Sequence, residues 1–192
     1  MRIVAGQFRG RRLAALGKGD AGAHLRPTPD RVRESLFSVL DGGRFGPGVT
    51  GARVLDLFAG TGALGLEALS RGAAHVTFVD RGRTALGLIR DNLRTLAVGD
   101  AARVLACDVA RLPVAHAACD LVFLDPPYGK DLGARALALA EAQGWIAAGA
   151  LIIWEENAAQ APPDGYQLAE ARRYGDSWIT LMTRDGSGVP HS

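Results

Sequence analysis

Short apolar stretches alternate with stretches of helical spacing along the middle of the chain. The apolar stretches with the length of strands are Arg53 to Leu57, His75 to Asp80, Ala102 to Cys107, Asp120 to Asp125 and Ala150 to Glu155. Between them, apolar residues recur at helical spacing in Ala63 to Arg71, Arg83 to Val98 and Gly133 to Gln143. Strands followed in turn by helices predict an α/β fold, with a doubly wound parallel sheet covered on both faces.

The pattern changes near the end of the chain. Tyr166 to Arg172 and Ser177 to Thr183 are both typical of strands, and the four residues between them leave no room for a helix. We therefore predict an antiparallel hairpin here. Residues 186–192 are expected to form a disordered tail.

The first residues follow a different pattern from the rest. Residues 1–13 alternate apolar and polar side chains around Gly6 and Gly10, which predicts a short strand or hairpin. A flexible loop is expected over 14–25.

A helix is predicted next, with Thr28 as its cap and Pro29 at its first position. Its apolar face is formed by Val32, Leu36, Val39 and Leu40. On this spacing Arg31 and Arg33 lie off that face.

Composition places the chain among single globular domains. It has 192 residues, of which 48% are hydrophobic and 22% charged, and this excludes a disordered or collagen-like protein. There is no apolar stretch long enough to span a membrane and no apolar signal segment after Met1, so we expect a cytoplasmic protein without a membrane partner. Cys107 and Cys119 lack CxxC spacing and no histidines are paired, so no metal is expected and both cysteines should be reduced and buried.

Charge is distributed unevenly along the chain. Residues 1–33 contain eight basic and two acidic side chains, a net charge of +6, whereas the remaining residues carry −4. Seven of the eight basic residues of this segment are arginines, whose planar guanidinium matches phosphate. A basic segment on an acidic domain indicates a polyanionic partner such as RNA.

A glycine motif follows the first predicted strand of the sheet. Gly60-Thr61-Gly62-Ala63-Leu64-Gly65 opens a helix, and Asp80 lies twenty residues beyond Gly60 at the end of the next strand. Glycines allow the backbone to turn tightly beside a ligand, and a carboxylate at the second strand can accept ribose hydroxyl hydrogens. The motif therefore predicts a nucleotide cofactor.

Asp56 narrows the identity of that cofactor. It lies inside the first strand, four residues before Gly60, where a carboxylate would repel the pyrophosphate of a dinucleotide. The α-ammonium group of S-adenosylmethionine would instead be attracted. A dinucleotide-dependent oxidoreductase remains the alternative, because Gly60 to Gly65 and Asp80 fit it equally well.

The motif Asp125-Pro126-Pro127-Tyr128 follows a further apolar strand, at the edge of the sheet where the cofactor is expected. An amine on a nucleobase is a poor nucleophile because its lone pair is delocalised into the ring. Acceptance of its two N–H bonds by Asp125 and the Pro126 carbonyl would direct that lone pair at a methyl donor. Tyr128 is a candidate to stack on a base withdrawn from its helix.

Asp108 ends the third predicted strand. A carboxylate at this position can accept a hydrogen bond from an adenine amino group, and it can equally cap a helix. We expect Asp108 to accept a hydrogen bond from the adenine of the cofactor.

These motifs together resemble the RsmD family of bacterial 16S ribosomal RNA guanine N2-methyltransferases, which are class I enzymes dependent on S-adenosylmethionine. The resemblance runs from about Arg2 to Thr183 and is most specific over 2–13, 25–37, 56–72 and 125–128. Family members often carry glutamate at the position of Asp80, whose side chain is shorter by one methylene.

The resemblance implies a Rossmann-like fold with a mostly parallel seven-stranded sheet, a C-terminal antiparallel hairpin and a small basic N-terminal extension. The expected division is an RNA-binding extension over 1–27, a methyltransferase domain over 28–185 and the tail over 186–192.

The resemblance also implies an activity, which is methyl transfer from S-adenosylmethionine to the N2 amine of one guanine in small-subunit ribosomal RNA. The partner would be that RNA or the assembling 30S-type particle, and the enzyme is expected to be a monomer. The implied catalytic residues are Asp125, Pro126, Pro127 and Tyr128. The implied cofactor residues are Asp56, Phe58, Ala59, Gly60, Thr61, Gly62, Asp80 and Asp108, and the implied RNA-binding residues are Arg9, Arg11, Arg12, Arg26 and Arg31.

Two further hypotheses keep the fold and change the function. The Asp-Pro-Pro-Tyr motif also serves methylation of adenine N6 in DNA, although 192 residues leave no room for a separate DNA target-recognition domain. A non-enzymatic RNA-binding assembly factor would keep the cofactor fold and would bind RNA regardless of Asp125.

Overall fold

The computed structural model describes residues 1–14, 29–46, 48–129 and 131–186. The strands of this part of the chain are β1 (Arg53–Leu57), β2 (His75–Asp80), β3 (Ala102–Ala106), β4 (Cys119–Leu124), β5 (Ile146–Glu156), β6 (Tyr166–Tyr174) and β7 (Ser177–Arg184). The α-helices are α1 (Asp30–Asp41), α2 (Ala63–Ser70), α3 (Arg83–Leu96) and α4 (Leu132–Ala142). Two short 3-10 helices span Gly99–Ala101 and Val109–Arg111.

The seven strands form one sheet in the order β3-β2-β1-β4-β5-β7-β6. Neighbours from β3 to β5 are parallel, whereas β7 runs antiparallel to both β5 and β6. The predicted α/β fold, with its mostly parallel sheet and its C-terminal hairpin, is therefore confirmed. The strand order reverses between β1 and β4, which is where open α/β sheets bind their ligands.

Each face of the sheet has its own hydrophobic core, because successive strand residues point to opposite faces. Val54, Phe78 and Phe123 pack on one face against α1, α2 and α3. Leu55 and Val122 pack on the other face against α4. Helices thus cover both sides, as the continuous apolar strands predict.

β1 and β2 have the predicted bounds, and those of β3, β4, β6 and β7 differ from the prediction by at most two residues. β5 begins at Ile146, four residues before the predicted Ala150, because the ladder with β4 continues past an irregularity in register. The intervening residues are small and do not carry a strand pattern. In the hairpin, Tyr174 pairs with Ser177, so the turn has two residues and the strands extend further than predicted.

Helix α1 begins at Asp30 with Pro29 as the preceding cap residue, one position later than predicted. Arg33 was placed off the apolar face and is fully buried instead. Its Nη2 donates to the Arg2 carbonyl and forms an ion pair with Asp30 at 2.8 Å. Asp30 neutralises the guanidinium, which lets α1 bury it beneath the N-terminal segment.

Residues 1–13 form the predicted hairpin. The Ile3 amide donates to the Arg11 carbonyl at 3.0 Å, and the Gly10 amide donates to the Ile3 carbonyl at 2.9 Å. Gly6 adopts a φ of +80° where the turn meets α2, and a Cβ there would lie 1.8 Å from the Ser70 carbonyl oxygen. The hairpin is therefore packed on the domain rather than extended from it. The division at residue 27 stays a prediction.

The buried carboxylate of Glu67 joins the hairpin to α2. It accepts hydrogen bonds from the amides of Val4 at 2.8 Å and Ala5 at 2.9 Å, and it forms an ion pair with Arg71. Glu67 has no exposed surface. A charge buried to this extent needs its partners, so the basic hairpin is held in a fixed position.

The cysteines are both free, but only Cys119 is buried, whereas Cys107 is partly exposed beside a cleft. The expectation that both are buried was wrong for Cys107, because this residue directly follows β3, which is an edge strand of the sheet. In the described residues, none of the helices has the length and apolarity needed to cross a membrane.

Candidate active site

A cleft of about 1150 Å³ opens at the carboxyl ends of the central strands. Its lining includes the predicted residues Asp56, Phe58, Ala59, Gly60, Thr61, Asp80, Asp108, Asp125, Pro126, Pro127 and Tyr128. Two motifs that are 65 residues apart in the sequence, counted from Gly60 to Asp125, therefore meet in one cavity. The parallel strands β1, β2 and β4 bring them together because their carboxyl ends share one edge of the sheet.

The glycine loop joins β1 to α2. Phe58, directly after β1, has a φ of +59°, a left-handed conformation that a non-glycine residue rarely adopts and that marks functional loops. Gly62 has a φ of +75° and begins the turn into α2. It does not line the cleft, so its placement indicates a role in shaping the loop.

Asp56 lies beneath this loop and is only 3% exposed. Its Oδ2 accepts a hydrogen bond from the Gly65 amide at 3.0 Å. Burial raises the pKa of Asp56 to about 8, and the nearby charge of Asp80 acts in the same direction. A buried carboxyl that has one hydrogen bond within the described part of the chain is suited to receive a cationic group from the cleft.

Both carboxylate oxygens of Asp80 are engaged with the backbone. Oδ2 accepts from the Gly60 amide at 2.9 Å, and Oδ1 accepts from the Gly82 amide at 2.7 Å. Asp80 thus ties the glycine loop to the start of α3. Each oxygen keeps a second lone pair, so a hydroxyl of a bound ligand can still donate to it.

Asp108 caps the 3-10 helix that follows β3. Its Oδ1 accepts from the Ala110 amide at 2.9 Å, and its Oδ2 is 2.6 Å from Arg81 Nη1. The amide hydrogen bond lowers the pKa of Asp108, and Arg81 lowers it further. The capping role that the sequence left open is therefore present, while the contact with adenine stays a prediction.

Asp125 follows β4 and shares the cleft with Asp56. Burial raises the pKa of Asp125 well above its ordinary value, and the charges of Glu155, Asp56 and Glu156 raise it further. Pro126 and Pro127 fix the backbone after it, since proline restricts φ. The cleft therefore holds a carboxyl group and a backbone carbonyl in a rigid loop.

Tyr128 anchors that loop to the far side of the sheet. Its hydroxyl donates to Glu155 Oε1 at 3.0 Å in β5 and lies 2.9 Å from Ser177 Oγ in β7. Burial raises the pKa of Tyr128 to about 12, so the hydroxyl stays protonated and available as a donor. The predicted stacking of Tyr128 on a base stays a prediction.

Several lining residues were missed by the sequence analysis. They include Pro29, Val32, Arg81, Arg135, Glu155, Tyr174 and Ser177. Glu155 could have been found, because it ends a predicted strand in the same way as Asp80 and Asp125. Tyr174 and Ser177 could not, since nothing in a hairpin sequence shows that its turn reaches the cleft.

The predicted RNA-binding arginines lie outside the cleft. Arg9, Arg11, Arg12 and Arg31 are exposed, and Arg31 neighbours Val32 of the cleft lining. Arg26 lies outside the described residues. The placement leaves the four described arginines accessible to a partner, and their role stays a prediction.

The residues of the cleft fit S-adenosylmethionine. A buried carboxyl at Asp56 suits an ammonium group, the carboxylate of Asp80 suits hydroxyl groups, and Val109 and Leu132 supply apolar walls. The volume exceeds the upper end of about 1,000 Å³ for ordinary small-molecule pockets, which leaves space for a second ligand beside a cofactor.

Comparison with known proteins identifies relatives of the chain as a whole. The family described as conserved hypothetical protein 95 matches residues 1–183. Ribosomal RNA small subunit methyltransferase D of Escherichia coli is 38% identical over 191 residues, which cover 98% of this chain and 92% of that protein.

Solved structures agree with the fold. Escherichia coli yhhF has a TM-score of 0.82 and 37% identity, with 97% of this chain and 99% of that chain covered. An RNA methyltransferase from Salinibacter ruber in complex with S-adenosyl-L-homocysteine has a TM-score of 0.64 at 15% identity, covering 87% of this chain and 98% of that chain. This second likeness concerns the fold alone.

Proposed function

The chain belongs to the family of conserved hypothetical protein 95, whose members include ribosomal RNA small subunit methyltransferase D, and we propose that it methylates the N2 amine of a guanine in small-subunit ribosomal RNA. The observation that carries this proposal is the shared cleft. Asp125 and Pro126 line the same cavity as Asp56 and Asp80. The amine acceptors and the cofactor residues are therefore within reach of one pair of ligands.

The cofactor is S-adenosylmethionine, which supplies a methyl group on a positively charged sulfur when it is bound. Asp56 would hold the ammonium group at the methionine end, because a buried carboxylate attracts a cation strongly. The loop from Phe58 to Gly62 would enclose that end. Asp80 would accept from the ribose hydroxyl groups with its remaining lone pairs.

The amine of the target base would be held at the opposite side of the cleft. The Asp125 carboxylate would accept one N–H bond, and the Pro126 carbonyl would accept the other. These contacts favour a pyramidal nitrogen whose lone pair faces the glycine loop. In its ionised form Asp125 is also a suitable acceptor for the proton that the methylated nitrogen releases, since its raised pKa makes it a stronger base than an ordinary aspartate.

The surface around the cleft supports a nucleic-acid substrate. Arg135 lines the cleft and is exposed, and Arg31 lies on α1 beside it. The hairpin adds Arg9, Arg11 and Arg12, which Glu67 fixes in position through the amides of Val4 and Ala5. Such arginines would bind phosphate and orient the RNA without specifying its sequence. The monomeric state and the cytoplasmic location stay predictions.

The test is methyl incorporation from labelled S-adenosylmethionine, followed by nucleoside analysis. Three substrates are compared: naked small-subunit ribosomal RNA, the assembled small subunit and duplex DNA, each without the modification. N2-methylguanosine from either RNA form is the expected product. N6-methyladenine from DNA would keep the chemistry and overturn the substrate.

Calorimetry with S-adenosylmethionine and NAD separates the remaining hypotheses. Binding of NAD alone would favour an oxidoreductase. Binding of RNA without any methyl transfer, unaffected by replacement of Asp125, would favour an assembly factor. The expected result is binding of S-adenosylmethionine together with turnover on RNA.

A further inference from the structure

Glu155 is a carboxylate of the cleft to which the proposed methyl transfer assigns no role. It lies near the end of β5, is half-buried and lines the cleft together with Asp125 and Pro126. β4 and β5 are neighbouring strands in which Leu124 pairs with Trp154, so Asp125 and Glu155 are the next residues along adjacent strands. The charge of Glu155 also raises the pKa of Asp125. A second carboxylate beside the amine acceptors is costly, since like charges repel, and this cost calls for a function.

The orientation of Glu155 is fixed by its neighbours. Its Oε1 accepts the Tyr128 hydroxyl at 3.0 Å, and Tyr128 is itself held by Ser177 at 2.9 Å. Within the described residues, Oε2 of Glu155 has no hydrogen-bond partner. One oxygen is therefore used for positioning, and the other remains available to a ligand as an acceptor.

The edge of guanine matches this arrangement. Its N2 amine and its N1–H group are adjacent donors, so two neighbouring acceptor sites can bind them side by side. Adenine and 2-aminopurine carry an unprotonated N1, whose lone pair would face a carboxylate and be repelled. An enzyme that acts on a base withdrawn from its helix reads this same edge.

We infer that Glu155 accepts the N1–H bond of the target base while Asp125 and Pro126 hold its amine, and that Glu155 thereby selects guanine. The inference rests on the proposed function, because it places a guanine amine at Asp125. If Glu155 only held Tyr128 in place, replacing Glu155 would slow the methylation of all bases equally.

The experiment replaces the target guanine by 2-aminopurine in the form of small-subunit RNA that the wild-type protein methylates. This base keeps the amine at C2 and lacks the N1–H group. The wild-type protein should methylate guanine about ten- to a hundredfold faster than 2-aminopurine, the discrimination typical of a good contact to a base edge. Glu155→Gln should slow methylation of guanine and raise the ratio of 2-aminopurine to guanine methylation about tenfold or more, because the glutamine amide can donate to N1.

Glu156→Gln is the matched control. Glu156 is adjacent in sequence and also raises the pKa of Asp125, but it is not among the residues that line the cleft. Its replacement removes the same charge and should leave the ratio between the two bases unchanged. Calorimetric binding of S-adenosylmethionine checks that each variant is folded.

Two results would overturn the inference while leaving guanine methylation intact. One is equal methylation of guanine and 2-aminopurine by the wild-type protein, a comparison that needs no variant to fold. The other is an equal decrease in the methylation rates of guanine and 2-aminopurine in Glu155→Gln. If the wild-type protein produced no N2-methylguanosine from the guanine RNA, the proposed function itself would fail and the inference with it.

Discussion

Asp56 and Gly65 are joined by a hydrogen bond of 3.0 Å from the Gly65 amide to Asp56 Oδ2. This bond ties β1 to the first half of α2, directly beneath the glycine loop. Gly65 is required at the contact, because a Cβ there would lie 2.3 Å from Phe78 Cε1 and 2.9 Å from the accepting oxygen. The carboxyl group proposed to hold the cofactor is therefore positioned by a residue without a side chain.

Gly65→Ala should destabilise the protein and weaken binding of S-adenosylmethionine. Overpacking of a buried contact typically costs about 1–3 kcal/mol. Urea denaturation measures the free energy of unfolding, and calorimetry measures the affinity. Gly87→Ala in α3 is the control, since a Cβ there meets nothing within 4 Å and should stabilise the helix by about 0.5–1 kcal/mol. Equal changes in unfolding free energy and in cofactor affinity in the two variants would show that the contact between Gly65 and Asp56 is unimportant.

The affinity for S-adenosylmethionine should rise with pH up to about 8, the pKa of Asp56 in the free protein. The ionised form of Asp56 is the one that attracts an ammonium group, so binding below this pH releases a proton. The slope should reach about tenfold per pH unit for one linked proton. Calorimetry in buffers of different ionisation enthalpy detects the released proton. Asp56→Asn should bind weakly and without this dependence, and an unchanged slope in that variant would assign the proton to another group.

The raised pKa of Asp56 also makes the stability of the protein depend on pH, and stability should fall as the pH rises, whereas cofactor affinity should increase. Folding raises the pKa of Asp56, so the folded state binds its proton more tightly than the unfolded chain does. This contribution is fully present below the ordinary value of 3.8 and is lost as the pH rises through about 8. The cofactor-free wild type should therefore lose stability relative to Asp56→Asn across this range. Thermal unfolding at several pH values tests this, and a constant difference in Tm would contradict it.

The centre of the sheet was predictable because β1, β2 and β4 are buried on both faces. Arg53–Leu57 and His75–Asp80 were predicted to the residue, since an apolar run with a polar end marks such strands clearly. The start of β5 was not predicted, because the side chains of Ala147 to Ala150 are too small to show a strand pattern. Periodicity also misplaced Arg33, whose burial depends on Asp30 and on the distant Arg2 carbonyl.

The site was predictable where chemistry is concentrated in a local motif. Each of the two motifs, Asp125 to Tyr128 and Gly60 to Gly65, is a contiguous run of residues. The strands that precede them end at the same edge of the sheet. The hydrogen bonds from Tyr128 to Glu155 and Ser177 span 27 and 49 residues. Contacts of this kind depend on how the hairpin folds back over the sheet, and no spacing in the sequence reports them.

Glu67→Ala should release the basic hairpin from α2. The substitution leaves the amides of Val4 and Ala5 without their acceptor and removes the partner of Arg71, so a loss of about 3–5 kcal/mol is expected. Limited proteolysis should cleave the hairpin faster, and urea denaturation gives the loss in stability. Glu34→Ala, at an exposed position of α1, should change neither. Unaltered proteolysis in Glu67→Ala would show that other contacts hold the hairpin.

Asp125→Ala should reduce methyl transfer at least about a hundredfold, because the amine loses the acceptor that orients its lone pair. Binding of S-adenosylmethionine should remain nearly intact, since Asp56 and Asp80 are unchanged. Single-turnover methylation and calorimetry on the same preparation separate these effects.

Asp120→Ala provides the matched control for Asp125→Ala. Asp120 lies in the same strand β4 but away from the cleft, and its Oδ2 accepts from the Arg53 amide at the other end of the sheet. Its replacement should cost some stability, about 1 kcal/mol for one hydrogen bond, without lowering the rate. Equal rates in the two variants would exclude Asp125 from the reaction, whereas a parallel loss of cofactor binding in Asp125→Ala would show that its carboxyl group shapes the cleft instead of holding the amine.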